Sequence, residues 1–375
     1  MIILSCVSEV RVAMNKPDPE ENNTTRRKFL YSMSALALSQ FTKTAQPVAL
    51  KSFGIAQASF RIRFTQAAQA SESKEPAIPA EKYIDLCKSF GGDGCQFDFS
   101  LLSSTDEDYL KRLRRSLEDK GMFLELSMPA QWLADPNTLT NAATVAKELG
   151  ATRIRVAING RRYEDFSSLK QWKDFYSHWF EVMRQAEPLL RGQGLTVGIE
   201  NHGDWMADEL VEILHQINSP HLGACVDFGN NLALLEDPLE VARKLSPYAV
   251  TALLKDMTIS STEDGFLLTD VPLGQGIIPL AKIMEILRKG RSDIHFCLDM
   301  ETRDPWKVPF KKDRYWVAYE ERNEERIEKF KTSILSKASS ASLPKVSGMS
   351  SPRMLAVEDD NIRKSVSYAK RTLGF

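Results

Sequence analysis

Eight short apolar segments, separated by longer stretches with helical periodicity, constrain the fold of this chain more than any other feature. The segments run over 52–59, 94–99, 122–127, 152–157, 195–200, 222–227, 250–255 and 294–299. Between them, apolar residues recur at intervals of three and four, which is typical of amphipathic helices. Eight strand–helix units predict a parallel sheet closed into a (β/α)8 TIM barrel, an α/β fold.

Turn-forming residues support this interpretation. Gly91-Gly92-Asp93-Gly94 and Gly192-Gln193-Gly194 fall where a helix is expected to stop and the chain to turn back toward a strand. The main alternative, a doubly wound open sheet, usually has fewer strands and a glycine-rich phosphate loop after the first one. No such loop follows the segment 52–59.

The chain divides into three parts. Residues 25–30 read Thr-Arg-Arg-Lys-Phe-Leu before a modestly apolar segment, which resembles a twin-arginine export signal, so we assign 1–48 to a signal and leader. This predicts a periplasmic protein, or a cytoplasmic one if the arginine pair is fortuitous. Residues 49–305 form the barrel. Residues 306–375 are less apolar and predict a C-terminal helical extension that packs on the barrel.

Composition excludes several classes of protein. Lysine and arginine total 49 against 50 aspartates and glutamates, so no overall field favours nucleic acid. The apolar segment near the N-terminus is too short to span a bilayer, so no stable membrane insertion is expected. Five widely spaced cysteines predict neither a disulfide framework nor a zinc finger. A homo-oligomer remains possible.

Carboxylates close three of the predicted strands. Glu200, Asp227 and Asp299 each follow several apolar residues, and the carboxyl ends of barrel strands face the active site. Carboxylates that converge on one rim repel each other unless a cation lies between them, which predicts a divalent metal such as Mn²⁺, Mg²⁺ or Zn²⁺. Such an ion can polarise a carbonyl while a flanking carboxylate moves a proton.

Several motifs together resemble one known family. They are Gly-Ile-Glu-Asn-His at 198–202, Val-Asp-Phe-Gly-Asn-Asn at 226–231, Leu-Lys-Asp at 254–256, Pro-Leu-Gly-Gln-Gly at 272–276 and Thr-Arg-Asp-Pro at 302–305. In this order they resemble the xylose-isomerase-like TIM barrels of the sugar phosphate isomerase or epimerase type. The resemblance covers roughly 50–303.

The resemblance implies a particular set of roles. Family members hold one divalent metal with a Glu, an Asp, a His and a Glu on strands five to eight, which correspond here to Glu200, Asp227, Leu253 and Asp299. The resemblance also implies that Glu200 and Asp299 are the acid/base pair. Two positions depart from the pattern, because Leu253 cannot bind a metal and Asp299 is one methylene shorter than Glu. Glu301 could substitute for Asp299.

Five further residues are candidates for substrate binding. His202 and Asn230 follow the carboxylates of strands five and six, Lys255 and Asp256 follow strand seven, and Arg303 follows strand eight. An ion pair between Lys255 and Asp256 is an equally good interpretation. Arg303 could bind an anionic group through its planar fork or pair with a neighbouring carboxylate.

These observations favour a sugar isomerase or epimerase that carries out metal-assisted proton transfer on a small carbohydrate or keto-sugar. A keto-sugar lyase would use the same residues. The two departures from the pattern also allow a non-catalytic carbohydrate-binding barrel with a degraded metal site. A DNA-repair barrel of the endonuclease-IV type would need a cluster of histidines to hold three zinc ions, and this chain has five histidines in all, dispersed along the sequence.

Overall fold

The computed structural model describes residues 52–71 and 76–375, and within them eight parallel strands close a barrel. The predicted export signal at 1–48 lies outside the described residues. The barrel strands are β1 Phe53–Ala56, β2 Gly94–Asp98, β3 Phe123–Ser127, β4 Arg153–Val156, β5 Thr196–Glu200, β6 Leu222–Asp227, β7 Ala249–Leu254 and β10 His295–Leu298. β10 pairs with both β7 and β1, which closes the sheet. The TIM barrel predicted from the sequence is therefore confirmed.

Helices surround the barrel between its strands. They are α1 Arg61–Ala70, α2 Ala80–Ser89, α3 Glu107–Asp119, α4 Pro136–Leu149, α5 Arg162–Asp165, α6 Leu169–Gln193, α7 Ala207–Ile217, α8 Pro238–Leu245 and α9 Leu280–Gly290. Local chemistry sets their ends. At α4, the Asp135 side chain accepts a hydrogen bond from the Asn137 amide, and Gly150 ends the helix with φ of 76°.

One part of the barrel interior is filled by apolar side chains. Ala56, Cys225, Leu253 and Cys297 form a buried cluster against which Phe123 packs. Leu253 is wholly buried there. Gly94 leaves room for the Phe123 ring, with which a Cβ at this position would collide. The cysteines at 87, 95, 225 and 297 are buried and form no disulfide.

A small antiparallel sheet follows β7 and was not predicted from the sequence. It consists of the hairpin β8 Asp256–Ser261 and β9 Phe266–Val271, with β11 Trp306–Val308 paired to β9. Only Lys255 separates β8 from β7, so the hairpin leaves the barrel at its carboxyl end. The sheet therefore stands beside the rim where the predicted site lies.

The C-terminal residues contribute the helices α10 Asp313–Trp316, α11 Glu324–Ser333 and α12 Ser351–Tyr368. On α12, the Glu358 carboxylate accepts hydrogen bonds from the amides of Ile62 (2.6 Å) and Arg63 (3.2 Å) in the first turn of α1. In the described part of the chain, no helix is long and apolar enough to cross a membrane.

Candidate functional site

The three predicted carboxylates lie at the carboxyl rim of the barrel. Glu200 and Asp227 are the last residues of β5 and β6, and Asp299 directly follows β10. All three are buried. Strand register places Asp227 beside Leu253, and the Asp299 amide donates to the Leu254 carbonyl at 3.1 Å. The rim carboxylates are thus fixed by the pairing of the strands that carry them.

The ammonium group of Lys255 lies among these acids. Its Nζ is 2.9 Å from Asp299 Oδ2, 3.3 Å from Asp227 Oδ2 and 3.8 Å from Asp270 Oδ1. Burial alone would lower the pKa of Lys255, but Asp227 and Asp299 hold that pKa well above its ordinary value. Burial likewise favours the neutral form of Asp299, yet Lys255 and Arg155 hold its pKa below the usual range. Lys255 and Asp299 therefore form a buried ion pair.

Arg155 and Asn230 hold the Glu200 carboxylate. The guanidinium of Arg155 forms a salt bridge with Glu200 Oε2, and Asn230 Nδ2 donates to Glu200 Oε1 at 3.0 Å. Arg155 was not among the predicted site residues. The signal was present, because an arginine in the middle of an apolar barrel strand, as in Arg-Ile-Arg-Val, has to find a partner on the barrel's inner side.

The hairpin supplies a fourth carboxylate, Asp270, which the sequence analysis also missed. Arg303 Nε donates to Asp270 Oδ2 at 3.3 Å, and the Arg303 guanidinium lies 3.9 Å from the centroid of the Trp306 ring. Burial raises the pKa of Asp270 to about 7, although Lys255 and Arg303 both oppose the shift. The small sheet therefore contributes an acid and an aromatic face to the rim.

Three of the five predicted substrate-binding residues, His202, Asn230 and Arg303, line one cavity of ≈ 380 Å³. Trp306 and Glu301 also line it. Asn230 connects the cavity to the buried acids, since it contacts Glu200 and accepts from Lys255 Nζ at 3.3 Å. A cavity of this size suits a small molecule.

The other two predicted substrate-binding residues are occupied elsewhere. Lys255 is 2% exposed and is engaged with the carboxylates. The Asp256 carboxylate accepts hydrogen bonds from the amides of Met257, Gly274, Gly276 and Ile278, and so holds the loop that contains the Pro-Leu-Gly-Gln-Gly motif. Substrate contact by either residue stays a prediction.

Asn201 fixes the position of Asp227. Its Nδ2 donates to the Asp227 carbonyl at 3.0 Å and to Asn231 Oδ1 at 2.9 Å, while its Oδ1 accepts from the Asp227 amide at 2.9 Å. Asp227 Oδ1 in turn accepts from the amides of Gly229 and Asn230. Asn201, Asn230 and Asn231 of the motifs thus orient the rim.

The predicted metal site does not fit this arrangement. Leu253 offers no donor atom, Glu200 is paired with Arg155, and the Lys255 ammonium stands between Asp227 and Asp299. Within residues 52–71 and 76–375, no group of three His, Cys, Asp or Glu side chains is arranged to hold a metal ion. We therefore derive no chemical step through a metal.

The closed barrel, with its acids and bases gathered at the carboxyl rim, has the architecture of TIM-barrel enzymes. Residues 84–320 match the family model of the xylose isomerase-like TIM barrels, and the chain belongs to this family. The resemblance expected from the sequence motifs is therefore confirmed.

The individual proteins that resemble this chain share only a low sequence identity with it. Over 200 residues, the chain is 25% identical to the 3-oxo-isoapionate decarboxylase of Pectobacterium atrosepticum, covering 53% of this chain and 68% of that protein. Among solved structures, a D-psicose 3-epimerase with D-fructose (TM-score 0.54) and an L-ribulose 3-epimerase (TM-score 0.53) are each 13% identical. Both cover 86% of this chain, with 100% and 94% of their own lengths covered. These two structures share the fold.

Proposed function

We propose that this protein is an enzyme that moves a proton on a small carbohydrate, at a carbon next to a carbonyl group, as in sugar isomerisation or epimerisation. The observation that carries the proposal is that Asp227 and Asp299 meet around Lys255, and that Asn230 connects Lys255 and Glu200 to a cavity lined by His202 and Arg303. Family membership supports it, since its solved structural neighbours include epimerases of keto-sugars.

Glu200 and Asp299 are the proposed proton-transfer residues. Asp299 Oδ2 accepts from Lys255, while Asp299 Oδ1 is buried with no hydrogen-bond partner in the described part of the chain. Leaving a buried carboxylate oxygen without a hydrogen bond costs free energy. This oxygen is therefore a strong acceptor for a hydrogen bond from a substrate hydroxyl or for a proton taken from a substrate carbon. Arg155 contacts Glu200 and lines the neighbouring surface cleft, where its guanidinium can stabilise negative charge that develops on a substrate oxygen.

The site also supports a second reaction, loss of CO₂ from a keto-sugar acid. The specific observation that favours it is the sequence similarity to the 3-oxo-isoapionate decarboxylase. Decarboxylation and proton transfer both pass through negative charge next to a carbonyl, so the same cationic side chains would serve either reaction.

Incubation in D₂O separates these reactions. We expect one of D-fructose, D-psicose or L-ribulose to exchange a C–H for deuterium by NMR if the protein is an isomerase or epimerase. Release of CO₂ from 3-oxo-isoapionate without such exchange would instead assign the lyase reaction. Binding without either would point to a non-catalytic carbohydrate-binding protein.

Glu200→Gln tests the assignment of residues. Removing this acid/base group is expected to lower turnover by roughly 10²-fold or more, with little effect on substrate binding. Glu212→Gln, an identical change at an exposed position of α7, is the matched control and should keep full activity. Unchanged turnover in Glu200→Gln would contradict the proposal.

A further inference from the structure

The Lys255 side chain occupies the centre of the rim carboxylates with the geometry of a bound cation. An ammonium group has three N–H donors, and Lys255 Nζ has three near acceptors, Asp299 Oδ2 at 2.9 Å, Asp227 Oδ2 at 3.3 Å and Asn230 Oδ1 at 3.3 Å. Asp227 and Asn230 belong to the end of β6 and the loop that follows it, and Asp299 follows β10. The contact with Asp227 is an ion pair without a hydrogen bond, since Asp227 Oδ2 is buried and has no hydrogen-bond partner in the described part of the chain.

The position of Lys255 in the chain explains how it reaches this centre. Side chains alternate along a strand, so Leu253 and Lys255 point to the same side, into the barrel. Leu253 packs in the apolar cluster with Ala56, Cys225 and Cys297, and Lys255 lies one level nearer the rim. The hydrogen bond between the Asp299 amide and the Leu254 carbonyl sets Asp299 at the level of Lys255.

Coulomb repulsion makes this arrangement exclude a second cation. A divalent ion bound to both Asp227 and Asp299 would lie within a few ångströms of the ammonium, at a buried point where like charges are poorly screened. The third carboxylate, Glu200, is already paired with Arg155. Asp227 Oδ2 and Asp299 Oδ1 have no hydrogen-bond partner in the described part of the chain, but the ammonium of Lys255 lies beside both carboxylates, so a metal ion bound to them would be repelled.

We infer that the ammonium of Lys255 takes the place of a metal ion in this protein, so that a cation belonging to the chain itself neutralises and orients the rim carboxylates. Lys255 is then a positioning residue, and the protein holds its acidic site together without a divalent ion. The inference concerns the cation of the site and is independent of which sugar reaction occurs.

Metal binding to the wild-type protein tests the inference directly. After EDTA treatment and dialysis, we expect isothermal titration with Mn²⁺, Mg²⁺ or Zn²⁺ to show no stoichiometric site, and the Tm to be unchanged by EDTA or by added metal. One ion bound per chain, or a Tm lowered by EDTA, overturns the inference. Neither measurement depends on turnover.

Removing the charge of Lys255 should allow the rim carboxylates to bind a metal ion. Lys255→Met leaves buried carboxylates without their cation, and we expect the Tm to fall by roughly 5 °C or more and to recover partly with added Mn²⁺. Combining Lys255→Ala with Leu253→His removes the ammonium and adds an imidazole ligand, and should create measurable Mn²⁺ affinity. Lys329→Met, an identical change at an exposed position, controls for the substitution.

The variants keep the inference testable even if one of them fails to fold. Lys255→Arg retains the charge and should retain more thermal stability than Lys255→Met. An equal Tm for Lys255→Met and the wild type would refute the role assigned to the ammonium. So would a double variant that folds and, like the wild type, binds no Mn²⁺.

Discussion

Asn201→Ala should destabilise the protein strongly, because one small side chain joins the ends of two barrel strands. Asn201 is fully buried and makes three hydrogen bonds, two with the backbone of Asp227 and one with Asn231. Each buried hydrogen bond contributes about 1 kcal/mol net, so the substitution should lower the free energy of unfolding by about 3 kcal/mol. The amide of Asp227 would also be left buried without a partner.

Urea unfolding followed by tryptophan fluorescence and far-UV circular dichroism measures this change. The midpoint should fall while the dependence of the unfolding free energy on urea stays constant, since the exposed surface is nearly the same. Asn141→Ala, on the exposed face of α4, should change the unfolding free energy by less than about 0.5 kcal/mol. A loss below about 1 kcal/mol in Asn201→Ala would show that the three hydrogen bonds do not hold the rim.

Two further predictions concern contacts outside the site. The Arg162 guanidinium lies between the rings of Trp172 (4.1 Å) and Tyr319 (4.3 Å) and donates a hydrogen bond to Glu209. Arg162→Lys loses the planar fork and should lower the free energy of unfolding in urea by about 2 kcal/mol. A change near zero would contradict this role. Burial raises the pKa of Glu358 from 4.5 to about 7, so the folded state retains a proton that the unfolded state has lost between these values. Stability from this group is therefore complete below pH 4.5 and declines by up to about 1.4 kcal/mol per pH unit as the pH rises toward 7. Glu358→Gln should remove this decline in unfolding measured at several pH values, and parallel profiles would refute it.

The barrel could be predicted well because each strand and helix is recognised from a short stretch of the sequence. Periodicity of two or of three to four residues marks the strands and helices, and a carboxylate after an apolar run, as at Glu200 or Asp227, has to lie at a strand end. The hairpin β8–β9 escaped prediction because β8 follows β7 after a single residue. Its short apolar runs resemble those of a loop between a strand and a helix.

The contacts of the site could be predicted only in part. The acids were visible as a set, but the position of Lys255 depends on strand register, which places Asp299 at its level. Arg155 meets Glu200 across the neighbouring strands β4 and β5, and Asp270 meets Lys255 through the fold of the hairpin β8–β9. A charged residue in an apolar strand, such as Arg155, is visible in the sequence, but its partner is set by how the strands pair.

The link between α12 and α1 has a consequence for the order in which the chain folds during synthesis. The amide of Ile62 donates a hydrogen bond to Glu358, which is synthesised 296 residues later. Contacts of such long sequence separation form late, since a large loop has to close before they are made. The contact between α1 and α12, beside the first strand of the barrel, is therefore completed only after Glu358 has been made.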